Sequence, residues 1–156
     1  MIDWVTAVLR CTHDQTKLFA GRVAFINGDG EVEWTVEKDK NVEGSYSSNI
    51  KIRSMTDKTI RISGNPAKFL QGHNIFGSDD LIYLMGRFFD SLIKIDSLGL
   101  LPTSDEYEDI QQGDYRLSRV DINQSWHLKD KASVLSWIRS AGQCTRLRHR
   151  GAGQFA

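Results

Sequence analysis

The sequence predicts an α+β domain with a mainly antiparallel sheet and helices packed on one face. Three observations point there. The chain opens on "IDWVTAVLRC", rich in β-branched and aromatic residues. Two pairs of alternating segments, each centred on turn residues, follow up to residue 65. The long helical pattern comes only after these strands, so helices cover a sheet rather than cross between parallel strands.

In the first strand Ile2, Trp4 and Thr6 alternate with Asp3, Val5 and Ala7. In "GRVAFINGDGEVEWTVEK" two alternating runs flank Asn27-Gly28-Asp29-Gly30, the strongest hairpin signal in the chain. "NIKIRSM" and "KTIRISGN" make a second pair around Thr56-Asp57-Lys58. Gly64-Asn65-Pro66 ends it, because proline cannot donate to a ladder. "NPAKFLQGHNIFGSDDL", residues 65–81, lacks alternation but contains Phe69, Leu70, His73, Ile75 and Phe76. A mere connector would be shorter and more polar, so this loop is expected to be packed down.

Ser78 is placed to cap a helix with Asp79 and Asp80 in its first turn. Leu81, Leu84, Phe88, Leu92 and Ile95 recur at helical spacing, which predicts a long amphipathic helix over 79–96. Residues 98–114 read as a loop and 115–126 as a strand. Residues 131–142 read as a second helix with Val134, Leu135, Trp137 and Ile138 inward and Gly142 near its stop. One domain over 1–142 is expected, followed by a basic, flexible tail over 143–156. No internal repeat is present.

At 156 residues the chain can bury a real core. Lys plus Arg and Asp plus Glu balance at 20 each, so contact with nucleic acid requires a local patch. Arg139, Arg146, Arg148, His149 and Arg150 form one without an intervening acid, whereas 105–114 is acidic. Cys11 and Cys144 match no metal or redox spacing and read as reduced thiols in or near the core. No apolar run approaches a membrane span, and Asp3 stands where a signal peptide would be basic and then apolar. A soluble, intracellular protein is expected.

Asp3 and Asp121 each interrupt a segment that reads as a central strand. A carboxylate there needs a solvent-facing position, a salt bridge to Arg116 or Arg119, or a shared divalent cation; hard oxygen donors suit Mg²⁺ or Mn²⁺. His73, between Gly72 and Asn74, is a candidate ligand or a structural residue, and His127 is similar. His13 and His149 read as surface residues. Tyr46, Tyr83, Tyr107 and Tyr115 have no evident base beside them and read as packing or surface residues. No Ser-His-Asp arrangement, Walker loop or zinc spacing is present.

Residues 65–81 resemble a segment of the filamentous-phage gene II replication initiators. That family's pattern runs Ser-Pro-Ala-Lys-x-Leu-Gln-Gly-His-Asn-x-Phe-Gly-x-x-Asp-Leu, and residues 66–68, 70–74, 76, 77, 80 and 81 fit it. The opening "MID" and "SRVDIN" at 118–123, similar to the family's Ser-Arg-x-Asp strand, agree in order, so the resemblance extends over residues 1 to about 125.

The resemblance implies a phage DNA replication initiator that nicks and rejoins one strand at the origin in rolling-circle replication. A tyrosine attacks the phosphodiester with the help of Mg²⁺ or Mn²⁺. It further implies that Asp3, His73 and Asp121 hold the metal, in place of the His-hydrophobic-His motif of the wider class, and that Arg119, Arg146, Arg148 and Arg150 bind DNA. Origin DNA is the implied partner, with host helicase and polymerase beside it in the bacterial cytoplasm. The family's nucleophilic tyrosine, in Ser-Arg-His-x-x-x-x-x-x-Tyr, has no counterpart here. The chain is therefore expected to be an N-terminal fragment with no assigned catalytic residue; the alternative is a non-catalytic origin-binding module or repressor.

Overall fold

The computed structural model describes residues 1–44 and 48–144, and the backbone of 146–147 and 151–152. The chain divides into two compact units, 1–123 and 124–156, each described by itself.

In chain order the first unit contains β1 (Ile2–Arg10), α1 (Gln15–Leu18), β2 (Arg22–Ile26), β3 (Val32–Glu37), β4 (Lys40–Glu43), β5 (Asn49–Thr56), β6 (Thr59–Gly64), α2 (Pro66–Gln71), α3 (Leu81–Leu92), α4 (Ser104–Gln112) and β7 (Arg116–Ile122). Five strands form one antiparallel sheet in the order β4-β5-β6-β1-β7. The α+β class, with its antiparallel sheet and helices, is the one the sequence predicts.

The period-two side-chain pattern decides which face is covered. Val5, Ala7 and Leu9 of β1, Ile50 and Ile52 of β5, and Ile60 and Ile62 of β6 are buried in one cluster. Phe69 of α2, Leu84, Met85, Phe88, Phe89 and Leu92 of α3, and Ile110 of α4 belong to the same cluster. Each large apolar side chain so buried contributes about 1.5–3 kcal/mol before entropy is charged against it. The alternate positions, among them Trp4, Thr6, Lys51, Arg53, Arg61 and Ser63, point away from that core.

A register shift between β1 and β7 lies at Asp3, between the pairs Ile2–Ile122 and Trp4–Asp121. Ile2 and Val5 are three residues apart yet both buried. A bulge accounts for this, since the extra residue lets Asp3 and Trp4 both turn out of the core.

Several elements depart from the expectation. The 65–81 segment contains a helix, α2, specified by its ends: Asn65 accepts the Lys68 N–H at 2.7 Å, Pro66 opens the first turn, and Gly72 closes it at φ 82°. The 98–114 segment contains α4, capped reciprocally by Thr103 and Glu106 and ended by Gly113 at φ 86°. The long helix is shorter than predicted, because Asp80 rather than Ser78 caps it, accepting the Tyr83 N–H at 2.9 Å. Strand β7 is an edge strand, so Asp121 is not central.

The hairpin at 27–31 forms as read, with Asn27 Oδ1 accepting the N–H groups of Asp29 at 3.0 Å and Glu31 at 2.9 Å. It joins β2 and β3 into a ribbon separate from the main sheet, with Phe25 and Trp34 stacked at 5.5 Å. His13, expected at the surface, is buried. Its Nδ1 lies 2.7 Å from the Cys11 carbonyl and its Nε2 2.8 Å from Ser54 Oγ.

The second unit contains α5 (Lys131–Cys144) and two short paired strands, β8 (Arg146–Leu147) and β9 (Gly151–Ala152). Val134, Leu135, Trp137 and Ile138, expected to face inward, are exposed, and no residue of α5 is buried. Cys144 is exposed as well, so only Cys11 is a core thiol.

Candidate nucleic-acid interface

The 65–78 segment is fastened to the start of β1. Asp3 Oδ1 accepts from Asn65 Nδ2 at 2.7 Å and from Asn74 Nδ2 at 3.1 Å. Ile2 N–H donates to the Ser78 carbonyl at 3.0 Å. Within the segment, Gln71 Nε2 donates to the carbonyls of His73 and Phe76, and the His73 ring meets the Phe76 ring edge-on at 6.5 Å. Phe69 is buried and Leu70 half-buried, but Ile75 and Phe76 are exposed, so the loop holds its shape by hydrogen bonds more than by apolar packing.

Next to Asp3, Trp4 lies opposite Asp121 of β7. Its indole Nε1–H donates to Ser63 Oγ at 3.2 Å, and Ser63 Oγ is 2.8 Å from Thr6 Oγ1. Arg119 grips Asp121 with two bonds, Nε to Oδ1 at 2.8 Å and Nη2 to Oδ2 at 2.5 Å, while its guanidinium carbon sits 5.7 Å from the Trp4 ring centre. The hydrogen bond from Arg119 holds the Asp121 carboxyl below its ordinary value, and the same bond holds the guanidinium above its own. Of the compensations open to Asp121, the structure has the salt bridge to Arg119.

Further across the same face, Arg53 of β5 lies directly opposite Arg61 of β6. Like charges so placed repel. Asp39 stands between them, 3.4 Å from Arg53 Nε and 3.7 Å from Arg61 Nη1. Lys51, two residues before Arg53, faces the same way and is exposed. Asp39 serves both arginines, and Arg53 Nη1 also donates to the Glu37 carbonyl at 3.3 Å. With Lys51 these cations outnumber the two acids of that part of the face, Asp39 and the exposed Glu43, in a chain that is neutral overall. Sequence reading missed Lys51, Arg53 and Arg61. The signal was their alternation with Ile50, Ile52, Ile60 and Ile62, which puts the cations on the face opposite the core.

Asp3, His73 and Asp121 come to one end of the sheet, since Asp3 adjoins the partner of Asp121 and bonds Asn74, the neighbour of His73. They do not form a ligand set. Among the described residues no group of three or more His, Cys, Asp or Glu could hold a metal ion. Asp121 directs both oxygens at Arg119, and Asp3 accepts two amide donors, so the donors as arranged do not fit a divalent cation.

Two of the tyrosines are held toward the protonated phenol. The hydrogen bond from Tyr107 to Asp90, 2.8 Å, raises that phenol, and burial, then the charge of Asp80, raises Tyr115. Tyr83 is exposed on α3, and His127 is exposed. Tyr46, Arg148, His149 and Arg150 lie outside the described residues, and Arg146 is described as backbone only.

A sheet with one face given to helices and the other carrying arginines, a tryptophan and paired carboxylates defines an α+β platform protein. The family is shown by comparison: the family model for the N-terminal part of the phage replication-associated protein, the gene II type, matches residues 1–156, and the chain belongs to that family of phage replication proteins. The replication-associated protein of Enterobacteria phage I2-2 is 41% identical over 155 residues, covering 96% of this chain and 44% of that protein. The chain thus spans less than half the length of this relative. No solved structure matches it. Among the described residues no helix is long and apolar enough to cross a membrane.

Proposed function

We propose that the chain is the DNA-engaging, N-terminal part of an initiator of rolling-circle replication that nicks and rejoins one strand at the phage origin, with Mg²⁺ or Mn²⁺. The observation that carries this reading is the Arg53–Arg61 pair with its single shared carboxylate, half-buried on the sheet face opposite the helices, in a member of this family. Two arginines and Lys51 in excess of their counter-charge are an arrangement that a DNA phosphate completes. Arg116, on β7 opposite Val8 of that face, extends the track.

In the nick, a tyrosine oxygen forms a bond to the phosphorus and the 3′ oxygen leaves as a hydroxyl that primes synthesis. Rejoining reverses the exchange. A bound divalent cation would supply polarisation of the scissile phosphate; Asp3, His73 and Asp121 as arranged do not form a site for it. Origin DNA is the partner, with host helicase and polymerase acting alongside in the cytoplasm of the bacterial host.

A second reading, a non-catalytic origin-binding module or repressor, is favoured by the side chains of Asp3 and Asp121, which are engaged by amides and by Arg119 rather than grouped as ligands. Incubation with supercoiled origin DNA, with and without Mn²⁺, separates the two. Mn²⁺-dependent nicking supports the initiator, and retarded migration without nicking supports the module. Absence of DNA affinity at low salt rejects both.

A further inference from the structure

Arg119 does not resemble the other cations on its face. Arg53, Arg61 and Lys51 are short of counter-charge, whereas Arg119 is matched by Asp121 through two bonds and offers a phosphate little net charge. Both bonds use the edge of the guanidinium group, whose carbon lies over the Trp4 ring 5.7 Å from its centre; the side chain as a whole is 60% exposed. Below it, Trp4 is held by Ser63, which is held by Thr6, so the layer is anchored across β7, β1 and β6. A flat, charge-neutralised group lying over an indole that is itself hydrogen-bonded to the sheet is suited to a planar, weakly charged ligand rather than to an anion.

We propose that Trp4, Arg119 and Asp121 form a stacking seat for an unpaired nucleobase. The inference rests on the proposed contact with DNA and adds to it that the strand crossing this end of the sheet is single. A base in a duplex is stacked on both faces and cannot reach the guanidinium plane. An unpaired base can lie on it, as bases do on arginine and aromatic planes in single-strand readers. The neighbouring Arg53–Arg61 pair then takes backbone phosphate.

The test uses the whole chain and three probes: an oligothymidylate, a strand of equal length with abasic sites in place of its bases, and a duplex of that length. The seat predicts that the wild type prefers the base-bearing strand to the abasic strand on the order of tenfold. Arg119→Lys keeps the charge but loses the plane; the preference is expected to disappear while duplex affinity and salt dependence stay unchanged. If that variant does not fold, Trp4→Phe carries the same comparison with a smaller ring face and a reduced preference. Equal wild-type affinity for the base-bearing and abasic strands overturns the seat and leaves the functional reading standing. So does a folded Arg119→Lys that keeps the preference, or one that weakens all three probes alike. Failure of the wild type to bind any probe at low salt overturns both.

Discussion

Glu106 of α4 is bonded to Thr12, just past the end of β1: Glu106 Oε2 accepts the Thr12 backbone N–H at 2.9 Å and Oε1 accepts the Thr12 hydroxyl at 3.0 Å. The Thr103 N–H reaches Oε2 as well, at 3.0 Å. One buried carboxylate therefore caps its own helix and pins that helix to the sheet. Burial alone would raise its pKa, but the Thr12 and Thr103 donors outweigh burial and hold the carboxyl below its ordinary value.

Glu106→Gln is accordingly expected to lower stability by about 1–3 kcal/mol, the usual range for losing charge-assisted hydrogen bonds at a buried acceptor. The pH dependence has a definite sign. A carboxyl whose pKa is lower in the folded state contributes stability that is present above the unfolded value and is lost as pH falls through the folded value. Thermal unfolding of wild type and variant between pH 7 and pH 3 should converge in the acid range. A gap that stays constant to pH 3 would show that the charge is not what Thr12 and Thr103 recognise.

The two thiols should react very differently. Burial, reinforced by the charge of Glu106, pushes the Cys11 thiol up to about 12, whereas Cys144 is exposed on α5. A thiol-specific disulfide reagent at pH 8 is expected to modify Cys144 alone in the native chain and both cysteines in denaturant. Rapid native labelling of Cys11, read by peptide mass, would mean that the end of β1 opens far more readily than its buried surroundings imply.

Arg53 and Arg61 should matter to DNA through charge alone. Replacing either by Gln removes roughly one phosphate contact, so the slope of log affinity against log salt should shallow by about one, with little change in preference between sequences. In Arg53→Gln, relief of the repulsion across β5 and β6 is set against loss of the Asp39 ion pair and the bond to the Glu37 carbonyl, so a folded variant with a small loss of stability is expected. An unchanged salt slope in both variants would move the DNA track off this face.

Which parts of this were legible in the sequence follows from the range of each signal. Strands β1, β5 and β6 and the 27–31 turn were read from alternation and turn chemistry, which act over a few residues. Helices α2 and α4 were not, because their ends carry the specification: Asn65 with Gly72, and Thr103 with Glu106 and Gly113. Helix α4 buries a glutamate, so its apolar periodicity was too thin to register. Val134, Leu135, Trp137 and Ile138 show the reverse case, a sound helical stripe that stays exposed among the described residues. At the candidate site, Asp3 and Asp121 stood out as carboxylates interrupting strands, His73 as a histidine in the packed loop and Arg119 as a salt-bridge partner; only their metal and DNA roles came from the resemblance. The choice of salt bridge over metal for Asp121 depended on Arg119 lying two residues away on the same face, which periodicity offered as one option among three.

Asp3 offers a prediction on the loop. Its one oxygen takes both Asn65 and Asn74. Asp3→Ala removes both bonds while leaving the core positions Ile2 and Val5 intact. Limited proteolysis should then cut within 72–77 faster by several-fold, with global stability down by only about 1 kcal/mol because the bonds are partly exposed. Unchanged cleavage would place the loop's order in Gln71 instead.

Gly64 closes β6 between Val5 of β1 and Ile50 of β5. A Cβ added there would come within 2.4 Å of Ile50 Cδ1 and 3.2 Å of the Asn49 carbonyl oxygen. The first obstacle is the end of a side chain and can move; the second is backbone of the paired strand and cannot move without loosening the ladder. Gly64→Ala should therefore cost about 1–3 kcal/mol, the range for overpacking a filled site. Gly28→Ala, whose added methyl meets nothing within 4 Å, serves as the control and should be close to neutral. Ile50→Val removes the clashing Cδ1 and on its own costs about 0.5–1.5 kcal/mol. In the double variant the two costs should fall short of their sum, because the shorter side chain makes room for the methyl. Strict additivity would assign the penalty to the β5 backbone, the Asn49 carbonyl and Ile50 Cα, each 3.2 Å from the added Cβ, and with it the conclusion that β5 and β6 are held at their spacing by the glycine itself.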